Sequence, residues 1–131
     1  MVAVSDIAAS TEEFLDLRRA AGLKAFTKEA AAISLANMLH GVWLRDGAGQ
    51  LIGMGRLVGD GGCFVMVVDI AVRPEHQRQG HGARIMAGLL DWADGNLPTS
   101  CYLTLIADPR GQRLYERFGF SGRTGMVRLI K

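Results

Sequence analysis

The residues best placed to do chemistry lie between Val68 and Ala83. There an apolar run gives way to Arg73-Pro74-Glu75-His76-Gln77-Arg78-Gln79-Gly80-His81-Gly82-Ala83. Pro74 has no amide hydrogen and stops a strand ladder. Gln77 to Ala83 then leads straight into Ile85, Met86, Leu89, Leu90 and Ala93, which recur at helical spacing. A helix start leaves main-chain amides unpartnered and sets the positive end of the helix dipole at the same point. Amides from Arg78 through Ala83 can converge there, with Gly80 and Gly82 letting a ligand approach the backbone and Arg78 adding a cation. That is the chemistry of a pyrophosphate cradle. Two other phosphate loops fail on spacing. A Gly-x-x-x-x-Gly-Lys-Ser/Thr loop needs a lysine, and none lies near. A dinucleotide loop needs a third small residue where Ile85 stands.

A second stretch reads Asp108-x-x-Gly111-x-x-Leu114-Tyr115-Glu116-x-x-Gly119-Phe120. With Val72-Arg73-Pro74-x-x-Gln77-Arg78-x-Gly80-x-Gly82 it resembles the paired signatures of the GNAT superfamily of N-acetyltransferases, over about residues 51 to 120. Asp108 stands where that family usually has Asn, and Gly111 where it usually has Ala. The resemblance implies acetyl-coenzyme A as cosubstrate, bound in a gap between two splayed parallel strands. Pantetheine would pair with the backbone of Ile70 and Val72, across Ala71, as a missing strand would. The diphosphate would sit on Arg78, Gln79, Gly80, His81, Gly82 and Ala83, with Gln77 at the loop's entry. The acetyl carbonyl would point to the amide of Ile70, which polarises it as charge develops on oxygen. Tyr115 matches the family's tyrosine and would protonate the departing thiolate.

The implied reaction is attack of a neutral amine on a thioester, so a proton must leave the amine. Asp69 is the one carboxylate in the apolar run Cys63 to Val72, which makes it the candidate base. A structural hydrogen bond to a nearby turn is its competing role. Asp108 has two roles open as well: helix cap, or acceptor for a pantetheine amide. A ring placed in the core is the competing role of Tyr115. Neither Cys63 nor Cys101 has a recognisable base partner, so transfer is expected to be direct, without an acyl-enzyme. The alternatives are a coenzyme A-binding module that does no chemistry, and an acyltransferase using another acyl group.

These residues need a scaffold. Val2 to Ile7 reads as a short strand. Ser10-Thr11-Glu12-Glu13 is a capping box ahead of Phe14, Leu17, Arg18 and Ala21, with Gly22 closing the helix. Thr27 opens a second helix with a stripe of Ile33, Ala36 and Leu39, and Gly41 follows its end. His40 then lies near a helix end, where the dipole suits it. Val42 to Arg45, a turn at Asp46-Gly47-Ala48-Gly49 and Leu51 to Val58 make a hairpin. After Asp60-Gly61-Gly62, Cys63 to Val72 is apolar enough for a central strand buried on both faces. Tyr102 to Ala107 reads as another buried strand, Asp108-Pro109 as a helix start, and Arg123 to Lys131 as a last strand. The expected fold is a mixed α/β sheet, antiparallel first and then a β-α-β crossover, of the GNAT-like acyl-CoA N-acyltransferase kind.

Composition sets the outer limits. The 131 residues fit one domain, 1–131, and Lys plus Arg exceed Asp plus Glu by 15 to 13, a net +2. With that charge and no aromatic interleaving, Arg73, Arg78 and Arg84 point to a cofactor phosphate and not to nucleic acid. No apolar stretch reaches the roughly 18 residues of a membrane span, and no secretory leader is visible. Cys63 and Cys101 sit in apolar runs and read as buried free thiols of a reducing cytoplasm. His76 and His81 read as solvated loop residues, with no metal expected. The expected partner is a small-molecule amine or a peptide N-terminus, and the resemblance implies a possible homodimer through terminal strands.

Overall fold

The computed structural model describes residues 1–131. Its sheet holds β1 (Ala3–Ser5), β2 (His40–Arg45), β3 (Leu51–Gly59), β4 (Phe64–Val72) and β5 (Tyr102–Thr104), in that spatial order. The first four pair antiparallel, and β5 lies parallel to β4. Helices α1 (Thr11–Ala20) and α2 (Lys28–Asn37) cover one face, and α3 (His81–Asn96) covers the other. A short helix, α4 (Gln112–Arg117), follows β5. No helix is long and apolar enough to cross a membrane.

The two faces follow from the period-two alternation of the strands. Val65 and Val67 point to α3 with Leu57, Ile85 and Leu89. Met54 and Ala71 point to α1 and α2 with Phe14, Leu17 and Ala31. Gly55 sets how close α3 may come. A Cβ there would lie 2.5 Å from Ile85 Cγ2 and 2.7 Å from Ile70 Cδ1. Only a residue without a side chain fits between strand and helix.

Helix α1 starts as its capping box dictates. The Glu13 amide donates to Ser10 Oγ at 3.1 Å, and the Ser10 amide donates to Glu13 Oε1 at 3.0 Å. Glu13 also takes both ends of the Arg45 fork, at 2.6 and 3.0 Å, while Arg45 ties down the carbonyls of Ile7, Ala8 and Gly49. Arg45 holds the Glu13 carboxyl down at about 2 from an ordinary 4.5. The pair therefore stabilises the fold fully above about pH 4.5 and loses its effect as pH falls towards 2. The Glu13 side chain is 36% exposed, so screening reduces the gain to about 1 kcal/mol. Glu13→Gln should cost about that much in urea unfolding near neutral pH, and the gap to the native chain should close towards about pH 2. A gap of constant size would remove the ion pair from the acid response.

Several expectations need correction. β1 and β5 are each three residues long, and Tyr102 and Thr104 are exposed, so Tyr102 to Ala107 is not a buried strand. Residues 120–131 form no strand; Met126, Val127, Leu129 and Ile130 stay exposed because no sheet edge pairs with them. The inward stripe of α2 is Ala31, Ser34, Leu35 and Met38, while Ile33 is 58% exposed. A run of alanines makes that helix look alike on several faces, which hides its period. Gly41 lies inside β2, and His40, three residues past the end of α2, opens that strand with its ring stacked on Trp92 at 4.9 Å. Cys63 is exposed and Cys101 half-buried. Cys63 falls in a turn that Asp60 ties by accepting from the amides of Gly62, Cys63 and Phe64.

Candidate functional site

β4 and β5 share only the register Phe64–Tyr102 to Met66–Thr104. Beyond it the strands part, and the edge of β4 from Val67 to Val72 faces no neighbouring strand on that side. β4 is therefore covered only in part, contrary to its apolar sequence: Val65 and Val67 are buried under α3 and Ala71 under α1 and α2, while Met66 and Val68 are half-open. The opening leads to a cavity of about 800 Å³ whose lining includes Met66, Val68, Asp69, Ile70, Asp108 and Tyr115.

A β-bulge shapes this edge. Met54 faces Ala71 but Arg56 faces Val68, so Gly55 opposes both Asp69 and Ile70. Asp69 takes the left-handed conformation, φ 58°, which a short polar side chain tolerates better than most. The extra residue turns Val68 and Asp69 to the same face. Without it, Asp69 would lie under α3 in an apolar layer.

Asp69 is enclosed by cations. Arg18 Nη1 donates to Oδ1, and Arg56 donates to Oδ2 from Nε at 2.8 Å, with its Nη2 in ion-pair contact with the same oxygen at 2.6 Å. The carboxylate is 4% exposed. Arg56 also donates to the Ser34 hydroxyl at 2.9 Å and to the Ser34 carbonyl at 3.2 Å. The two guanidiniums occupy the oxygens that a substrate proton would have to reach, which is not the open, desolvated carboxylate expected of a base. Sequence reasoning missed Arg18 and Arg56 as members of the site. The signal was present: Arg56 is the only charged residue in the apolar strand Leu51–Gly59, and a buried charge needs a buried partner.

Tyr115 projects from α4 into the same cavity. Burial pushes its hydroxyl above the usual 10, and the charge of Asp108 adds to the shift. Gly111 makes room for the ring, since a Cβ there would lie 3.1 Å from Tyr115 Cε2. Asp108 acts as a cap: it accepts from the Arg110 amide at 2.9 Å and pairs with the Arg110 side chain, which holds its carboxyl below the usual range.

The loop before α3 does not line the cavity and lies at the C-terminal end of β4. The main-chain amides from Arg78 to Ala83 donate to no acceptor in the protein; the first bond of the turn runs from the Arg84 amide to the Gly80 carbonyl at 3.1 Å. Left-handed conformations at Arg78, φ 63°, and Gly80, φ 85°, turn the chain into the helix. The Gln77 side chain donates to the Val72 carbonyl at 2.9 Å and so pins the loop to the strand end. Burial and the nearby Arg84 and His76 press His81 below its ordinary value, which favours a neutral ring. Arg73 and Arg84 are engaged elsewhere, with Asp16 and with the Val2 carbonyl. Gly82 lies against α4, 3.4 Å from Leu114 Cδ2 to an added Cβ, so the loop and the Tyr115 helix adjoin.

A family profile described as an acetyltransferase (GNAT) domain matches residues 39–122. A mycothiol acetyltransferase of Stackebrandtia nassauensis is 30% identical over 121 residues, covering 73% of this chain and 38% of its own. The chain thus spans well under half the length of that curated relative. A protein from meticillin-resistant Staphylococcus aureus, described as a probable acetyltransferase of unknown function, superposes with a TM-score of 0.93 at 38% identity, over 99% of this chain and 100% of the other. A GNAT family acetyltransferase from Streptococcus pneumoniae gives 0.79 at 28% identity, over 100% and 99%. By sequence profile, by curated relative and by fold, the chain belongs to the GNAT acetyltransferase family.

Proposed function

We propose that this protein transfers an acetyl group from acetyl-coenzyme A directly to the amine of a small molecule or a peptide N-terminus. The observation that carries the reading is the parting of β4 from β5. It opens a strand edge between the unpartnered amides of residues 78–83 and the Tyr115 cavity. A diphosphate matches those amides in charge and donor number, and the glycines leave it room. Pantetheine would add to the open edge at Ile70 and Val72. The Ile70 amide, at the bulge, would donate to the thioester oxygen as it gains charge. Tyr115, kept protonated by its burial, would donate to the departing sulfur.

In this reading Asp69 fixes Arg18 and Arg56 and does not accept the amine's proton. Breaking such a buried pair costs about 3–5 kcal/mol, so Asp69 belongs to the frame of the site. The amine's proton would leave to water through the open side of the cavity. A reducing cytoplasm fits two cysteines that are both free.

The test is release of free coenzyme A thiol from acetyl-coenzyme A in the presence of a panel of amines. Amine-dependent release with stoichiometric acetylation of the amine supports the reading. Tight binding of acetyl-coenzyme A without release from any amine would replace it with a non-catalytic binding module. Release only from a longer acyl thioester would change the acyl group.

A further inference from the structure

The reading as a transferase leaves the acceptor unnamed, and the charge balance of the cavity bears on it. Two guanidiniums, Arg18 with a side chain 9% exposed and Arg56 with one 4% exposed, share the single carboxylate of Asp69. Lys24, an exposed residue whose carbonyl accepts from Arg18, stands at the rim of the same end. The other acid in the lining, Asp108, lies across the cavity beside Tyr115 and is already matched by Arg110. The walls around the arginines are apolar: Phe14, Leu23, Phe26, Ala30, Met66 and Val68. Phe26 and Phe14 face the guanidiniums at 4.4 and 5.0 Å, which partly offsets their desolvation but supplies no negative charge. The acceptor end of the cavity thus carries an unmatched positive charge in a largely apolar chamber.

The two arginines are not equally engaged. Arg56 donates to Asp69 and to both oxygens of Ser34, and its Nη2 also lies 2.6 Å from Asp69 Oδ2, so its charge is the more closely matched. Arg18 spends Nε–H and one Nη2–H on the Lys24 carbonyl and one Nη1–H on Asp69. One N–H on each of its terminal nitrogens has no acceptor in the protein. Those two N–H groups are the donors that Arg18 has left for a carboxylate.

We propose that the acceptor is an amino acid-like molecule whose carboxylate docks on Arg18, with Lys24 beside it, while its amine reaches the thioester near Ile70. This inference rests on the transferase reading. The same field that draws the carboxylate in disfavours an ammonium group, so a bound amine sheds its proton more readily without a dedicated base. A diamine or polyamine would bring a second cation against Arg18 and Arg56 and would be rejected.

The experiment compares kcat/KM by thiol release across acceptors of matched chain length: an ω-amino acid, the corresponding n-alkylamine, the corresponding diamine and the corresponding aminoalkyl phosphate. The amino acid should exceed the alkylamine by at least about tenfold and the diamine by about a hundredfold, as expected when a buried cation gains or lacks its counter-charge. Arg18→Met should lower the preference for amino acid over alkylamine by at least about tenfold, with the KM for acetyl-coenzyme A unmoved. Arg18→Lys keeps the charge but loses the fork, and should fall between the two. If Arg18→Met does not fold, Arg18→Lys and the comparison on the native protein still decide. Equal rates for amino acid and alkylamine, or a preference for the diamine, would overturn the anionic acceptor and leave the transferase reading intact. A preference for the aminoalkyl phosphate would overturn the carboxylate. No release from any amine would overturn both readings together.

Discussion

Replacing Gly82 with glutamate should weaken acetyl-coenzyme A binding by at least about a hundredfold, some 2.8 kcal/mol, while the fold stays intact. Gly82 lies in the first turn of α3, where its amide has no acceptor in the protein. The fold has room for a side chain there. An added Cβ would meet only Leu114 Cδ2, at an ordinary 3.4 Å, and an acidic residue in a first helical turn is favourable to the helix. The melting temperature should therefore change by no more than a few degrees. The ligand would meet the opposite situation. A carboxylate at this point competes for the amides of residues 78–83 and repels the diphosphate they are proposed to hold. Gly82→Ala is the control: it adds bulk without charge and should have a much smaller effect. Titration calorimetry with acetyl-coenzyme A reads both variants. Unchanged affinity in Gly82→Glu would move the diphosphate away from this loop.

The loop was legible because its signal is local. Pro74, Gly80 and Gly82 fix backbone behaviour at their own positions, and the helical period that follows says which way the amides point. The capping box at Ser10 and Glu13 was legible for the same reason, since both of its bonds close within one turn. The Asp69 site was not. Its arrangement joins Arg18 on α1 to Asp69 across 51 residues and Arg56 on β3 to Asp69 across 13. It also depends on a bulge that reverses which face Asp69 occupies. Strict alternation through Val67, Val68 and Asp69 gives the wrong face, because no glycine or proline marks the extra residue. The strand expected at Arg123 to Lys131 failed differently. Its residues suit a strand, but strand formation is a property of two partners, and the sheet ends at a three-residue β5. Asp108 and Gly111, the two departures from the family's pattern, have separate roles in one turn. One caps the turn and the other clears space for the ring of Tyr115.

Tyr115→Phe should lower kcat by about a hundredfold and leave the KM for acetyl-coenzyme A within about twofold. The substitution removes one oxygen and keeps the ring that packs beside Gly111. A raised hydroxyl pKa means that the oxygen carries its proton throughout the neutral range. It can then donate to the sulfur as the carbon–sulfur bond breaks, a contact stronger in the transition state than in the ground state. A merely structural tyrosine would instead show its loss in stability or in cosubstrate affinity. The pH profile separates the two further. A free thiol has an ordinary pKa of about 8.5, so above that value the departing thiolate needs no proton. The deficit of the phenylalanine variant should therefore narrow as pH rises past about 9. Full activity at neutral pH, or a deficit independent of pH, would remove proton donation to sulfur from the role of Tyr115. That result would leave the open edge of β4 and the amide of Ile70 as the means by which the thioester is activated.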